Sequence, residues 1–243
     1  MQNHIIYPIA LCEGPRDNTH FAYRSERRDV CNTACYIWYI ESPDAKIIVD
    51  AGDNAADFLA KDAPETDIIS VEDGLSKFRL KPDDIDIVIV THLHCDHIAL
   101  AYLYKKARFI VQKRELGYAQ NPHPIDAVLY DRNTFDGLNW EVIDGNKEIV
   151  PGISVLLTPG HSPGGQSVEV STSAGKAVIT GFCSTRDTFS PTKAMKRRGW
   201  EATIPLIHQD ALQTYDSVLE VKHRADIIIP LHEPGYIGKI SIP

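Results

Sequence analysis

The sequence predicts an α/β protein in which two β-sheets pack face to face and helices cover the outer faces, in one domain over residues 1–243. Three observations predict it. Short apolar runs of strand length recur along the chain, most of them bounded by Gly, Pro, Asn or Asp. Hairpin-type links predominate in both halves, which favours sheet packed on sheet over a doubly wound parallel sheet. Helical stretches lie between the strands, and the clearest has a core-facing stripe. With 43 % apolar and 24 % charged residues the composition is that of a globular protein. A chain of 243 residues is long enough to bury roughly 70–75 % of the surface its unfolded form exposes.

In chain order, strand-type runs fall at residues 5–11, 36–40, 46–49, 85–90, 109–111, 153–157, 167–170, 177–180 and 227–229. Between the first two lies a polar stretch, residues 12–35, rich in Arg, Asp and Asn, which reads as a long loop serving as a lid or an oligomer contact. The stretch Ser171-Thr172-Ser173-Ala174-Gly175-Lys176 reads as a hairpin turn. Residues 210–222 form the clearest helix, with Leu212, Tyr215, Val218 and Leu219 as its core-facing stripe. There is no internal repeat, low-complexity tract or linker to divide the chain.

Charge and cysteine content narrow the function classes. The net charge of −8 argues against a nucleic-acid partner. The local run Lys193, Lys196, Arg197, Arg198 reads as a solvated face. No segment approaches the roughly 20 apolar residues of a membrane span, and the first residues lack the features of a signal peptide. Five cysteines, odd in number and irregularly spaced, read as a reduced, cytoplasmic chain.

The chemistry concentrates in Thr91-His92-Leu93-His94-Cys95-Asp96-His97, directly after an apolar strand. Imidazole and carboxylate together suit zinc, with iron or manganese as second choices. Side chains two apart on a strand share a face, so His92 and His94 can point the same way. A turn into a helix would bring Asp96 and His97 to the other side of the same pocket, supplying two adjacent metals from one loop. Cys95 reads as packing. His208 could reach the pocket rim, whereas His4, His20, His123 and His223 have no supporting constellation.

This His-x-His-x-Asp-His run resembles the signature of the metallo-β-lactamase superfamily, and further landmarks follow in order. Ile47-Ile48-Val49-Asp50-Ala51-Gly52 resembles the family's early strand, where Asp50 would orient the ligand loop. Thr158-Pro159-Gly160-His161-Ser162-Pro163-Gly164 resembles its next ligand motif, which implies His161 as third ligand beside His92 and His94. Pro230-Leu231-His232 stands where the family places its last histidine. The resemblance implies a four-layer αββα sandwich with one or two metal ions at one edge, and Asp96 both as ligand and as the residue that handles the proton.

Two positions depart from the pattern. Where most family hydrolases carry an aspartate bridging both metals, this chain has Phe182, followed by Cys183. The run Gly181-Phe182-Cys183 resembles the Gly-Gly-Cys that supplies a thiolate in one class of zinc β-lactamases, which implies Cys183 as the second-site ligand. Within the superfamily the chain most resembles N-acyl-homoserine lactonase-like hydrolases. That implies opening of a small cyclic ester or related amide, and a homodimer. Those lactonases often place a tyrosine near the substrate carbonyl; here the position falls on Arg186 or Thr185, and Arg186 could clamp a carboxylated substrate. An iron enzyme of the persulfide dioxygenase type and a thioesterase remain the alternatives on the same fold.

Overall fold

The computed structural model describes residues 2–23, 30–53 and 66–243. Its first half contains β1 (Ile5–Asp17), β2 (Val30–Glu41), β3 (Lys46–Val49), β4 (Thr66–Asp67), α1 (Val71–Ser76), β5 (Ile87–Ile89), α2 (Cys95–Ile98), β6 (Arg108–Gln112), α3 (Lys113–Ala119), α4 (Arg132–Phe135) and β7 (Trp140–Ile143). The second half adds β8 (Lys147–Val150), β9 (Ile153–Leu157), β10 (Gln166–Thr172), β11 (Gly175–Ile179), α5 (Lys193–Arg197), α6 (Ala211–Arg224) and β12 (Ile227–Ile229). Among the described residues one sheet runs β4-β1-β2-β3-β5-β6-β7 and the other β12-β11-β10-β9-β8.

The four layers follow from which faces are apolar. Trp38, Ile47, Ile87 and Ile110 of the first sheet meet Val155, Val168, Ala177 and Ile229 of the second in the central core. Ile37, Ile48, Val88 and Phe109, on the first sheet's other face, pack against Leu75 of α1, Ile98 of α2, Ala119 of α3 and Phe135 of α4. Val178 behind the second sheet packs with Val218 and Val221 of α6. The parallel strands β3, β5 and β6 are covered on both sides, which is why they read as continuous Ile/Val runs without alternation.

Where a loop was expected over residues 12–35, residues 12–17 and 30–35 instead belong to two paired strands, and residues 24–29 lie outside the described residues. β1 and β2 stay paired from Ile5↔Glu41 to Asp17↔Val30, with a register shift between Ala10 and Cys12. Beyond that shift Cys12, Gly14 and Arg16 are buried while Glu13, Pro15 and Asp17 face outward, an alternation of period 2 masked by polar side chains on the buried face. The helix over 210–222 forms as α6, capped by Asp210, which accepts from the Leu212 and Gln213 N–H groups. Its stripe differs at one position: Leu212 is 80 % exposed. Six residues from Val218, it sits about 120° round the helix, and Thr214, Ser217 and Val221 take the buried side.

Two short devices fix the edge where the strands end. The Gln166 side chain donates to the carbonyls of Val90 at 2.8 Å and Ile110 at 3.1 Å, stitching the second sheet to the first. Asp50 follows β3 with φ 61°, the left-handed region, which turns its carboxylate under the loop after β5. Among the described residues no helix is long and apolar enough to cross a membrane.

Candidate metal centre

The loop after β5 is held from two sides. Asp50 Oδ1 accepts the Thr91 N–H at 2.7 Å, and its Oδ2 accepts the Thr91 hydroxyl at 3.0 Å and His97 Nδ1–H at 2.9 Å. From the other side Glu115 of α3 takes the Leu93 N–H at 3.0 Å through one oxygen and the Gly164 N–H at 2.9 Å through the other. One buried carboxylate thus joins the loop bearing His92 and His94 to the loop bearing His161. Gly164 is required there, since a Cβ would stand 2.3 Å from the Glu115 backbone nitrogen. Gly160, at φ 120°, lets the same loop lie against Thr214 at the start of α6.

These supports set the imidazole tautomers. The Thr91 hydroxyl gives its only proton to Asp50, so it accepts at 3.0 Å from His92 Nδ1–H. The Ile207 carbonyl receives His161 Nδ1–H at 2.7 Å, and the Ala34 carbonyl receives His232 Nδ1–H at 3.2 Å. Each ring therefore turns an Nε2 lone pair inward. His92 Nε2 and His161 Nε2 lie 3.2 Å apart, two lone pairs facing each other with no proton assigned between them. His97 Nε2 is buried without a hydrogen-bond partner, 3.2 Å from Asp96 Oδ2. Donors converging in this way fit divalent cations of the zinc class.

Among the described residues three groups of potential ligands have donor atoms within 4.8 Å of one another, and two of them line this cavity throughout: His92, His94 and His161, and Cys35, Asp96 and His232; the third is Cys12, Cys35 and Asp53. Burial holds His92 and His94 well below the ordinary histidine range and brings His161 and His232 down to about 4. They are neutral, as ligands have to be. Burial acts the same way on His97, but the Asp96 and Asp50 carboxylates outweigh it and push the ring up to about 10. Burial would raise Asp96; the positive charge of His97 outweighs it and holds the carboxyl well below the usual range.

The cluster forms the floor of a cavity of about 300 Å³ whose walls include Phe21, Thr33, Leu129 and Ile207. Tyr130 stacks edge-on against His94, with ring centroids 4.9 Å apart. Of the residues singled out in the sequence, His92, His94, Asp96, His97, His161 and His232 come together here. Cys183 is buried on the cavity wall but joins neither ligand group. Phe182 turns away into the core beneath α6.

Arg186 lies elsewhere, contrary to expectation. The turn after Thr185 points it outward, 67 % exposed and 3.7 Å from Glu233, on a neighbouring depression with Asn18 and Pro234. The arginine that lines the metal-side cavity is Arg16, at the end of β1, with His20 beside it. The position of Arg16 depends on the hairpin register, for which the alternation through Cys12, Gly14 and Arg16 was the available signal; His20 follows in the turn after β1 and carried none. His208 does reach a shallow depression at the rim, beside His94 and His161.

Comparison with known proteins now places the chain. A family model described as the metallo-beta-lactamase superfamily matches residues 32–230. The chain belongs to the metallo-β-lactamase superfamily. Among curated members, an N-acyl homoserine lactonase of Bacillus cereus is 28 % identical over 168 residues, 62 % of this chain and 64 % of that protein. One from Bacillus thuringiensis is 30 % identical over 162 residues, 60 % of each. The chain thus matches less than two thirds of the length of these relatives. Among solved structures, a mutant of AiiA from B. thuringiensis with N-decanoyl-L-homoserine bound superposes with TM-score 0.76 at 23 % identity, over 98 % of this chain and 96 % of that one. AidC, a dizinc quorum-quenching lactonase in complex with its product, gives TM-score 0.67 at 18 % identity, over 94 % and 87 %. At such identities the likeness is one of fold, and it agrees with the αββα sandwich of this metallo-β-lactamase chain.

Proposed function

We propose that the chain is a metal-dependent hydrolase that opens a small cyclic ester, or the related cyclic amide, with zinc as the bound ion. The convergence of inward-facing Nε2 lone pairs and Asp96 on the floor of one cavity carries this reading. The names of the curated relatives, N-acyl homoserine lactonases, support the lactone class. A pair of divalent ions held there supplies Lewis-acid polarisation of a carbonyl and a water acidic enough to attack near neutral pH. Asp96, whose carboxylate lies on the cavity floor, would take the proton of the attacking water and deliver it to the departing ring oxygen. A cavity of about 300 Å³ suits a small ring with a short substituent.

A carboxylated substrate belongs to the same reading, with Arg16 in the place first given to Arg186. Arg16, buried at the end of β1 with one guanidinium nitrogen donating to the Pro15 carbonyl, brings positive charge to the cavity wall, which favours a carboxylate there. A homodimer and a cytoplasmic location complete the proposal, and the single core shared by both sheets supports treating residues 1–243 as one domain.

The test is a pH-indicator screen of zinc-loaded protein against neutral lactones, carboxylated lactones, cyclic amides and thioesters, with Arg16→Ala and Arg186→Ala alongside. Turnover of a carboxylated lactone is expected. Arg16→Ala should raise its KM roughly 10–100-fold, the size of a lost charge-assisted hydrogen bond, while Arg186→Ala leaves it unchanged. Turnover confined to thioesters would move the reaction to the thioesterase class. Iron in the protein as isolated, with sulfite released from a persulfide, would replace hydrolysis by dioxygenase chemistry.

A further inference from the structure

We infer that Cys35, on β2, is a thiolate ligand of the second metal position, together with Asp96, His97 and His232. The inference rests on the metal-centre reading and goes beyond it, since the sequence drew attention to Cys183. Three observations converge on it. The Cys35 Sγ, an Asp96 carboxylate oxygen and a His232 ring nitrogen lie within 4.8 Å of one another, all buried. His97 Nε2 is buried without a hydrogen-bond partner and stands 3.2 Å from the same carboxylate. His232 Nε2 stands 3.7 Å from it, although its Nδ1 proton is already committed to the Ala34 carbonyl. Asp96 Oδ2, His232 Nε2 and His97 Nε2 converge in one buried space, where a cation would take the place of the proton on His97.

The backbone explains why Cys35 is the thiol delivered there. His232 is tied to Ala34 in both directions, the Ala34 N–H donating to the His232 carbonyl at 3.4 Å and His232 Nδ1–H to the Ala34 carbonyl at 3.2 Å. The next residue along β2 is Cys35. Ala34 points into the central core, so the alternation of a strand sends Cys35 to the opposite face, where it lines the cavity beside Asp96. Cys35 also lies close to Cys12 and Asp53, but those two are not on the cavity wall and bring no imidazole. The four donors toward the cavity, two nitrogens, one oxygen and one sulfur, make the tetrahedral set that zinc favours. A thiolate in that set selects zinc, iron or cobalt over manganese and magnesium.

Cobalt(II) is the probe, because a cobalt–thiolate bond gives a near-ultraviolet charge-transfer absorption that nitrogen and oxygen ligands do not. Protein loaded with two equivalents of cobalt should show this band. Cys35→Ser should lose it, while Cys183→Ser and Cys12→Ser keep it. In case Cys35→Ser does not fold, X-ray absorption on the unaltered zinc-loaded protein gives the same answer, one sulfur for every two zinc ions at about 2.3 Å. A band that survives in Cys35→Ser, disappears in Cys183→Ser or Cys12→Ser, or never forms in protein holding two cobalt ions overturns the assignment. Failure to take up cobalt at all would instead sink the metal-centre reading. Neither readout depends on turnover, so loss of the hydrolase reading leaves this one standing.

Discussion

His92, His94 and His161 meet through neutral nitrogen alone, whereas the neighbouring group brings the Asp96 carboxylate and the one raised imidazole, His97, to the same cavity floor. The first group is fastened by a hydroxyl and a backbone carbonyl on Nδ1, the second by the Asp50 carboxylate and by the last strand's junction with β2. Neutral donors leave a bound cation its full charge, which is what polarising a substrate requires. Anionic donors cancel that charge in exchange for affinity. The difference teaches that two adjacent positions in one cavity can differ in kind, one offering neutral nitrogen alone and the other a carboxylate as well.

The sharpest way to break this comparison is to remove one ligand from each side. His161→Ala and His232→Ala should each cost one metal equivalent, measured by elemental analysis, and each should lower kcat/KM by more than the roughly 10–100-fold that loss of a supporting group costs. If both variants lose the same equivalent, the two groups are a single site. A smaller effect is expected from Asp50→Asn. The amide would present its NH₂ to His97 Nδ1, reverse the tautomer and place a proton on the Nε2 that faces Asp96. Affinity for the second equivalent should fall roughly 10–100-fold in competition with a chromogenic chelator, with the first equivalent little changed. The smallest effect belongs to Glu115→Gln, which sharpens rather than breaks the contrast because Glu115 supports only the histidine group. One of its two N–H partners, Leu93 or Gly164, would face an amide NH₂. That costs about 1–3 kcal/mol, or a fall in Tm of roughly 2–4 °C per kcal/mol in a chain of this size.

How much of this was legible in the sequence depends on how far apart the cooperating residues lie. The run from Thr91 to His97 could be read directly because its ligands share one loop, and the apolar run at residues 85–90 announced the strand before it. The central core and α6 were legible by the same local periodicities, apart from Leu212, where a nearby apolar residue was counted into a stripe that helix rotation places elsewhere. Arg16 and Cys35 were not legible. Their proximity to the centre comes from cross-strand register and a shift between Ala10 and Cys12, and polar residues on the buried face made the hairpin end look like a loop. Arg186 misled for the converse reason: a position counted from a motif says nothing of which way a turn points it.

The tie between Ala34 and His232 joins residues 198 positions apart. During synthesis at about 5–20 residues per second, the β2 segment with its thiol leaves the ribosome roughly 10–40 s before the histidine that closes its surroundings. Over that interval the nascent chain carries an uncovered Cys35, next to Cys12 in the strand register. A compartment that oxidises thiols within that interval would alter the first hairpin before β12 arrives to cover it.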